Sequence, residues 1–311
     1  MNKKYHGIIP PVISPVDKDE NIDVKGYKAL LDYCIKGGLH GIFVAGTNGE
    51  TMALTQRERN RIIEVTLEHI DGRVPVIAGA MDSSTRRVIE NIREIERMGG
   101  ECAAVTPIFY DRHTSQEETV RHFEKILEKT SLELIIYNIP AFTGIKLNAD
   151  TVIKISNLDK RVVAYKDSSG SYSEFMKILT MFEDTDFSVM QGVTGQALSA
   201  VLMGADGFVP ALGPAFPEMF TEAYEAAKAG NVVKTKKFNR LIMKSSEILT
   251  MCKNATAAAK YAISLRGFSD KRVISPQDEI REEEEKRIEE KFNEVEYEYG
   301  RLREYQRGES Q

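Results

Sequence analysis

The sequence predicts an α/β fold in which eight parallel strands, each followed by a helix, close into a barrel of TIM type with a C-terminal helical extension. Three observations carry this. Short β-rich runs alternate with helical patterns eight times between the beginning and about residue 230. The runs are apolar throughout, as strands covered on both faces are. Several of the helical segments open with a capping box, in which a hydroxyl and a carboxylate three residues on satisfy each other's backbone donors: Thr55…Glu58, Ser115…Glu118 and Ser171…Glu174.

The predicted strands are Gly7–Val16, Gly41–Gly46, Pro75–Ala80, Cys102–Pro107, Leu134–Asn138, Val162–Asp167, Phe187–Gly192 and Gly207–Gly213. Pro10, Pro11 and Pro15 interrupt the first run, and no small-residue cleavage site follows it, so it reads as a strand and not as a signal peptide. A doubly wound open sheet is the competing architecture. It would announce a ligand by a glycine-rich first turn, whereas the first run here ends in Ser14-Pro15-Val16-Asp17. Residues 1–230 are expected to form the barrel and 231–311 a helical region, with helical patterns over Val232–Met251, Ala255–Leu265 and from Pro276 onward. In the tail, Ile288, Phe292, Val295, Tyr299 and Leu302 recur at helical steps and make a narrow apolar seam. It predicts a helix laid either on the barrel or on a neighbouring subunit.

Composition excludes some partners. Among 311 residues, 47 are acidic and 42 basic, which leaves no broad basic surface for nucleic acid. No stretch approaches the roughly 18 apolar residues of a membrane span. Cys34, Cys102 and Cys252 are odd in number and sit in apolar segments, which points to a reducing compartment and the cytoplasm. His6, His40, His69, His113 and His122 show no metal-site spacing, and no metal or cofactor is expected.

Active sites of such barrels lie at the carboxyl ends of the strands, so the residues that close each run are the ones to examine. The sixth run ends in Lys166-Asp167. An amine at the rim of an apolar barrel is desolvated when charged, its pKa falls, and the neutral form can attack a ketone to give a Schiff base that stabilises a neighbouring carbanion. A lysine there could equally snorkel or pair with Asp167. Tyr137, on the adjacent fifth run, could relay protons with Thr47 as hydroxyl partner, or could simply cap the core. The turn Thr47-Asn48, flanked by Gly46 and Gly49, offers backbone N–H groups and a hydroxyl for a small carboxylate, though those glycines also suit a bare tight turn. Glycines after the last two runs, Gly192 and Gly213 among them, leave a phosphate-binding barrel open.

GTNGE at 46–50, YNIPAFTG at 137–144, YKDSSG at 165–170 and GADGFV at 204–209, in that order, resemble the dihydrodipicolinate synthase and N-acetylneuraminate lyase family over residues 5 to 275. The resemblance implies a Schiff-base enzyme acting on pyruvate, usually a homotetramer. It puts the Schiff-base lysine at Lys166, the proton-relaying tyrosine at Tyr137, the carboxylate-holding hydroxyl and amide at Thr47 and Asn48, and pocket-lining positions at Gly192 and Val209. A tyrosine contributed by a neighbouring subunit falls on Tyr110, while a strict count from Thr106-Pro107 lands on Phe109.

Two departures bear on the substrate. Synthases of the family carry an arginine in the fifth-strand motif to grip the carboxylate of a semialdehyde, where this chain has Phe142, which points away from synthase activity and toward a small or apolar aldehyde. Sialic acid lyases carry acidic residues after the seventh strand, where this chain has Val193-Thr194-Gly195. The expectation is a pyruvate-dependent class I aldolase or lyase cleaving or condensing a 2-oxo acid. Alternatives are a 4-hydroxy-tetrahydrodipicolinate synthase, a phosphate-site isomerase, or a pyruvate-binding sensor without turnover.

Overall fold

The computed structural model describes residues 3–110 and 114–309, with side chains through residue 304; His113 lies outside the described residues. Eight parallel strands form one sheet: β1 (Gly7–Ile8), β2 (Ile42–Val44), β3 (Val76–Gly79), β4 (Cys102–Val105), β5 (Glu133–Asn138), β6 (Val162–Asp167), β7 (Ser188–Gln191) and β8 (Gly207–Phe208). Their order is β1-β8-β7-β6-β5-β4-β3-β2, each pair in parallel register.

The two ends of that order meet. Pro11 bridges Phe43 in parallel, Phe43 N–H donates to Pro10 O at 3.1 Å, Val12 N–H donates to Phe43 O at 3.0 Å, and His40 N–H donates to Ile8 O at 2.9 Å. The sheet is therefore curled on itself, with helices outside, in the manner of a TIM-like barrel. The first strand is far shorter than the run Gly7–Val16. Pro10 and Pro11 lack backbone donors, so the closing seam keeps only the bonds in which those prolines accept or are skipped.

Sequence alternation of strand and helix is reproduced outside the sheet by α1 (Val24–Lys36), α2 (Gln56–Ile70), α3 (Thr85–Arg97), α4 (Gln116–Leu127), the short α5 (Pro140–Thr143), α6 (Ala149–Ser156), α7 (Tyr172–Met181), α8 (Thr194–Leu202) and α9 (Pro217–Lys228). Capping boxes open α2 at Thr55 and α4 at Ser115 as expected. The third does not form: Ser171 makes no side-chain cap, and Glu174 instead accepts from Ala149 N–H at 3.3 Å and Lys177 Nζ at 2.6 Å.

Because both faces of the sheet are apolar, two cores result. One fills the layer between sheet and helices, with Leu30, Ile63, Phe123, Phe175 and Phe220 among its members. The other is inside the barrel and contains Tyr5, Phe43, Ile77, Met81, Cys102, Ile135, Tyr137, Met190 and Val209. The amino-terminal end of the barrel is sealed by Tyr5, whose hydroxyl donates to Glu133 at 2.6 Å, and by Lys3, bonded to Phe187 O and Asp206. That leaves the carboxyl end for a site.

The chain continues through α10 (Val232–Ser246), a 3₁₀ turn (Glu247–Thr250), α11 (Ala255–Ser264) and α12 (Glu282–Glu309). The seam of α12 packs on its own chain: Ile288, Phe292, Val295 and Tyr299 are buried, Phe292 lies 4.8 Å from the Phe216 ring, and Arg266 bridges to Glu296 at 2.6 Å. No helix among the described residues is long and apolar enough to cross a membrane.

Candidate active site

Strand register brings the central residues together. Tyr137 of β5 pairs with Lys166 of β6, which pairs in turn with Met190 of β7, so all three share one level of the barrel interior. Successive side chains on a strand point to opposite faces. Lys166 therefore faces inward, and its neighbour Asp167 faces the helical layer. There Asp167 accepts from Asn138 Nδ2 at 2.8 Å, Tyr165 Oη at 3.0 Å and Ser169 Oγ at 3.0 Å. Burial raises the Asp167 carboxyl while these bonds hold it down. The pairing of Lys166 with Asp167, open on sequence, is not made.

The Lys166 amine is left among aromatic rings. Lys166 is 6% exposed, and its Nζ stands 3.8 Å from the centre of the Tyr137 ring and 4.7 Å from that of Phe43. Those two rings meet edge to face at 5.9 Å. Among the described residues no carboxylate pairs with it. Desolvation pushes its pKa below the ordinary lysine value, opposed only by the Tyr137 hydroxyl. The shift is in the direction that favours the neutral amine, the form nucleophilic attack requires.

Above this level opens a cleft of about 1440 Å³, lined by Thr47, Thr51, Met81, Thr106, Phe109, Ile139, Phe142 and Thr143 on the barrel side. Its other wall comes from Cys252–Ala257 and Ser275–Arg281. Lys166 and Tyr137 are not among its lining residues; Tyr137, on β5, lies two residues before Ile139, which is. The hydroxyls of Thr51 and Thr106 are buried without a hydrogen-bond partner among the described residues.

The other sequence-derived positions divide. Thr47 lines the cleft, but no described contact joins it to the Tyr137 hydroxyl. Asn48 is buried with its carboxamide donating to Pro11 O at 3.1 Å and Ala211 O at 3.3 Å. Its side chain therefore ties down the turn, and only its backbone N–H remains to meet a carboxylate. Val209 is buried in the barrel-interior core with Tyr137. Gly192 serves close packing: a Cβ there would stand 2.2 Å from Ser168 Oγ and 2.7 Å from Asp167 O. Gly213 is crowded likewise by Pro10 Cβ at 2.6 Å, and the two N–H groups donate to Asp167 O at 2.7 Å and Pro210 O at 3.0 Å, which commits them away from a phosphate. Phe142 is 69% exposed on the rim, where it borders the cleft without filling it. Tyr110 is 95% exposed at a φ of 78°, outside the cleft lining, whereas Phe109 lines it.

One feature escaped the sequence reading. Glu50, the last residue of GTNGE, is buried and accepts from Lys260 Nζ at 2.5 Å and from Ile274 N–H at 2.8 Å. A lysine inside the apolar run Ala257-Ala258-Ala259-Lys260-Tyr261-Ala262 was the available signal.

Comparison with known proteins agrees with this arrangement. Residues 4–295 match the model of the dihydrodipicolinate synthetase family. The 4-hydroxy-tetrahydrodipicolinate synthase of Methanopyrus kandleri is 30% identical over 91% of this chain and 94% of its own. That of Oceanobacillus iheyensis is 33% identical over 72% of this chain and 77% of its own. Among solved structures, dihydrodipicolinate synthase from Bacteroides thetaiotaomicron superposes with a TM-score of 0.89 at 29% identity, covering 94% of this chain and all of the other (100%). A prophage protein of the dihydrodipicolinic acid synthase family from E. coli K12, solved in complex with pyruvate, gives 0.89 at 25% identity, covering 94% and 99%. The chain belongs to the dihydrodipicolinate synthetase family and is a carbon–carbon lyase of the aldolase class.

Proposed function

We propose that the protein is a pyruvate-dependent class I aldolase in which Lys166 forms the Schiff base. The observation that carries this is a buried amine with no counter-charge among the described residues, set against the Tyr137 ring, which packs with the cleft-lining Met81, Phe109 and Ile139. The neutral amine adds to C2 of a 2-oxo acid, and a proton passes from nitrogen to oxygen to give a carbinolamine. Protonation of the carbinolamine hydroxyl, relayed by Tyr137, and loss of water give the protonated imine. That imine accepts the electron pair of the C3–C4 bond as a C4 hydroxyl gives up its proton, releasing an aldehyde and leaving an enamine. Protonation at C3 and hydrolysis release pyruvate and restore the amine; condensation is the reverse.

Tyr137 moves the protons, since its hydroxyl is the polar group that acts on the amine. The backbone N–H groups of Thr47 and Asn48, with the Thr47 hydroxyl, hold the carboxylate. Tyr110, exposed and outside its own cleft, supplies its phenol to a neighbouring subunit of a homotetramer. Cys34, Cys102 and Cys252 are free thiols, as a cytoplasmic protein keeps them.

The size of the cleft does not hold the aldehyde to a small one. A second reading, the 4-hydroxy-tetrahydrodipicolinate synthase reaction, is favoured by the names of the relatives. Phe142 supplies no guanidinium for a semialdehyde carboxylate. Steady-state condensation of pyruvate with a panel of aldehydes that includes aspartate semialdehyde decides. Faster turnover of another aldehyde supports the aldolase; aspartate semialdehyde turned over as fast as the best of the panel makes the protein a synthase. Pyruvate binding without any bond made or broken would overturn both.

A further inference from the structure

We infer that Glu50 and Lys260 are positioning residues for the pyruvate carboxylate: their buried ion pair holds the Thr47-Asn48 turn in the orientation that presents its backbone donors. The inference rests on the reading of that turn as the carboxylate holder. The turn is fixed from three directions. Ser14 Oγ donates to Gly49 O at 2.6 Å, and Asn48 Nδ2 reaches Pro11 O and Ala211 O, which ties the turn to the segments after β1 and β8. The third tie is different in kind. Glu50 joins the turn to α11 through Lys260 Nζ at 2.5 Å, and to the segment entering the extension through Ile274 N–H at 2.8 Å, over 210 and 224 residues of sequence.

Three properties separate this pair from an ordinary structural bridge. Both side chains are fully removed from solvent, at 0% exposure each. Such a pair adds little to stability over apolar residues of the same volume, while fixing one arrangement of the groups it joins. Glu50 also has a left-handed backbone, with φ 54°, which an L-residue other than glycine adopts only when held. Released from Lys260, the residue relaxes toward negative φ, and the N–H groups of the turn three and two positions earlier change direction with it. Thr51, the next residue, lines the barrel side of the cleft and its buried hydroxyl has no hydrogen-bond partner among the described residues, so the same displacement reaches the cleft wall.

The test uses the full chain and two ketones. Pyruvate carries the carboxylate; acetone presents the same carbonyl without it. Borohydride trapping on Lys166 is measured against the concentration of each, giving a half-saturation for both and hence a preference ratio. In the native protein the ratio favours pyruvate; if pyruvate is not trapped at all, the Schiff-base reading itself fails. In the double variant Glu50→Gln/Lys260→Met, which removes both charges, thermal stability stays near native, half-saturating pyruvate rises about tenfold, equivalent to about 1.4 kcal/mol, and acetone is unaffected. A pair with a merely structural role would instead lower trapping of both ketones together. Glu50→Asp is the second variant, since it keeps the charge and draws the carboxylate back by one methylene; it shifts the ratio in the same direction. A native preference ratio in either folded variant overturns the inference.

Discussion

Lys166 and Lys260 are both lysines with almost no solvent contact, and their surroundings are opposite. Lys260 has a carboxylate at 2.5 Å, and the pull of Glu50 works against the burial that lowers its pKa. Lys166 has two aromatic rings and one phenol, and among the described residues nothing with a full negative charge offsets its desolvation. Burial alone thus does not make a nucleophile. Burial lowers both amines; a carboxylate counter-charge opposes the shift at Lys260, whereas at Lys166 the opposition comes from the Tyr137 phenol.

Substituting each lysine by methionine, similar in length and apolar, should separate the two roles. Lys166→Met is expected to lower kcat/KM by about 10⁴-fold or more, with a thermal midpoint equal to or above native, because a desolvated amine is removed. A lowered midpoint would show that this amine stabilises the fold. Lys260→Met leaves the Glu50 carboxylate buried and unpaired, which costs about 3–5 kcal/mol. Denaturant unfolding measures it. A change below about 1 kcal/mol would mean that Glu50 is protonated or solvated and the comparison is false.

Tyr137→Phe keeps the ring against Lys166 and removes only the hydroxyl. Steady-state turnover should fall about 10²-fold or more while borohydride still finds the lysine. Unaltered turnover would assign proton transfer elsewhere.

The smallest expected effect is on pH. The Lys166 pKa is lowered from 10.5 in the folded chain. Between that lowered value and 10.5, the unfolded chain holds a proton that the native one does not, so this group's contribution to stability grows as pH rises through the window. Below the lowered value both states are protonated, and that contribution is lost. The rate of imine formation follows the neutral amine. It should rise up to tenfold per pH unit and level off below pH 10.5. A rate still climbing at 10.5 would place the amine in water-like surroundings.

The two lysines were unequally legible in the sequence. Lys166 closes an apolar run, and strand ends are where such barrels carry chemistry, so position made it a candidate, while its role was read from the resemblance of YKDSSG. Lys260 sits in an alanine-rich helix, and its partner is 210 residues away, a relation no local pattern encodes. The same division holds elsewhere. Eight apolar runs marked eight strands, but the two-residue β1 reflects a closing seam between Pro11 and Phe43 that exists only in three dimensions. The capping boxes at Thr55 and Ser115 follow from sequence spacing; at Ser171 the carboxylate of Glu174 is drawn instead to Ala149 and Lys177. The motifs marked Asn48 and Gly192, but not that the Asn48 carboxamide donates to two backbone carbonyls or that a Cβ at Gly192 would meet Ser168 and Asp167.

Borohydride reduction with pyruvate, followed by peptide mass mapping, compares the two buried amines in one experiment. A reduced pyruvate adduct on the Lys166 peptide, with the Lys260 peptide unmodified, is the result the difference in their surroundings predicts. An adduct on Lys260, or none on Lys166 under conditions where pyruvate is bound, would contradict it.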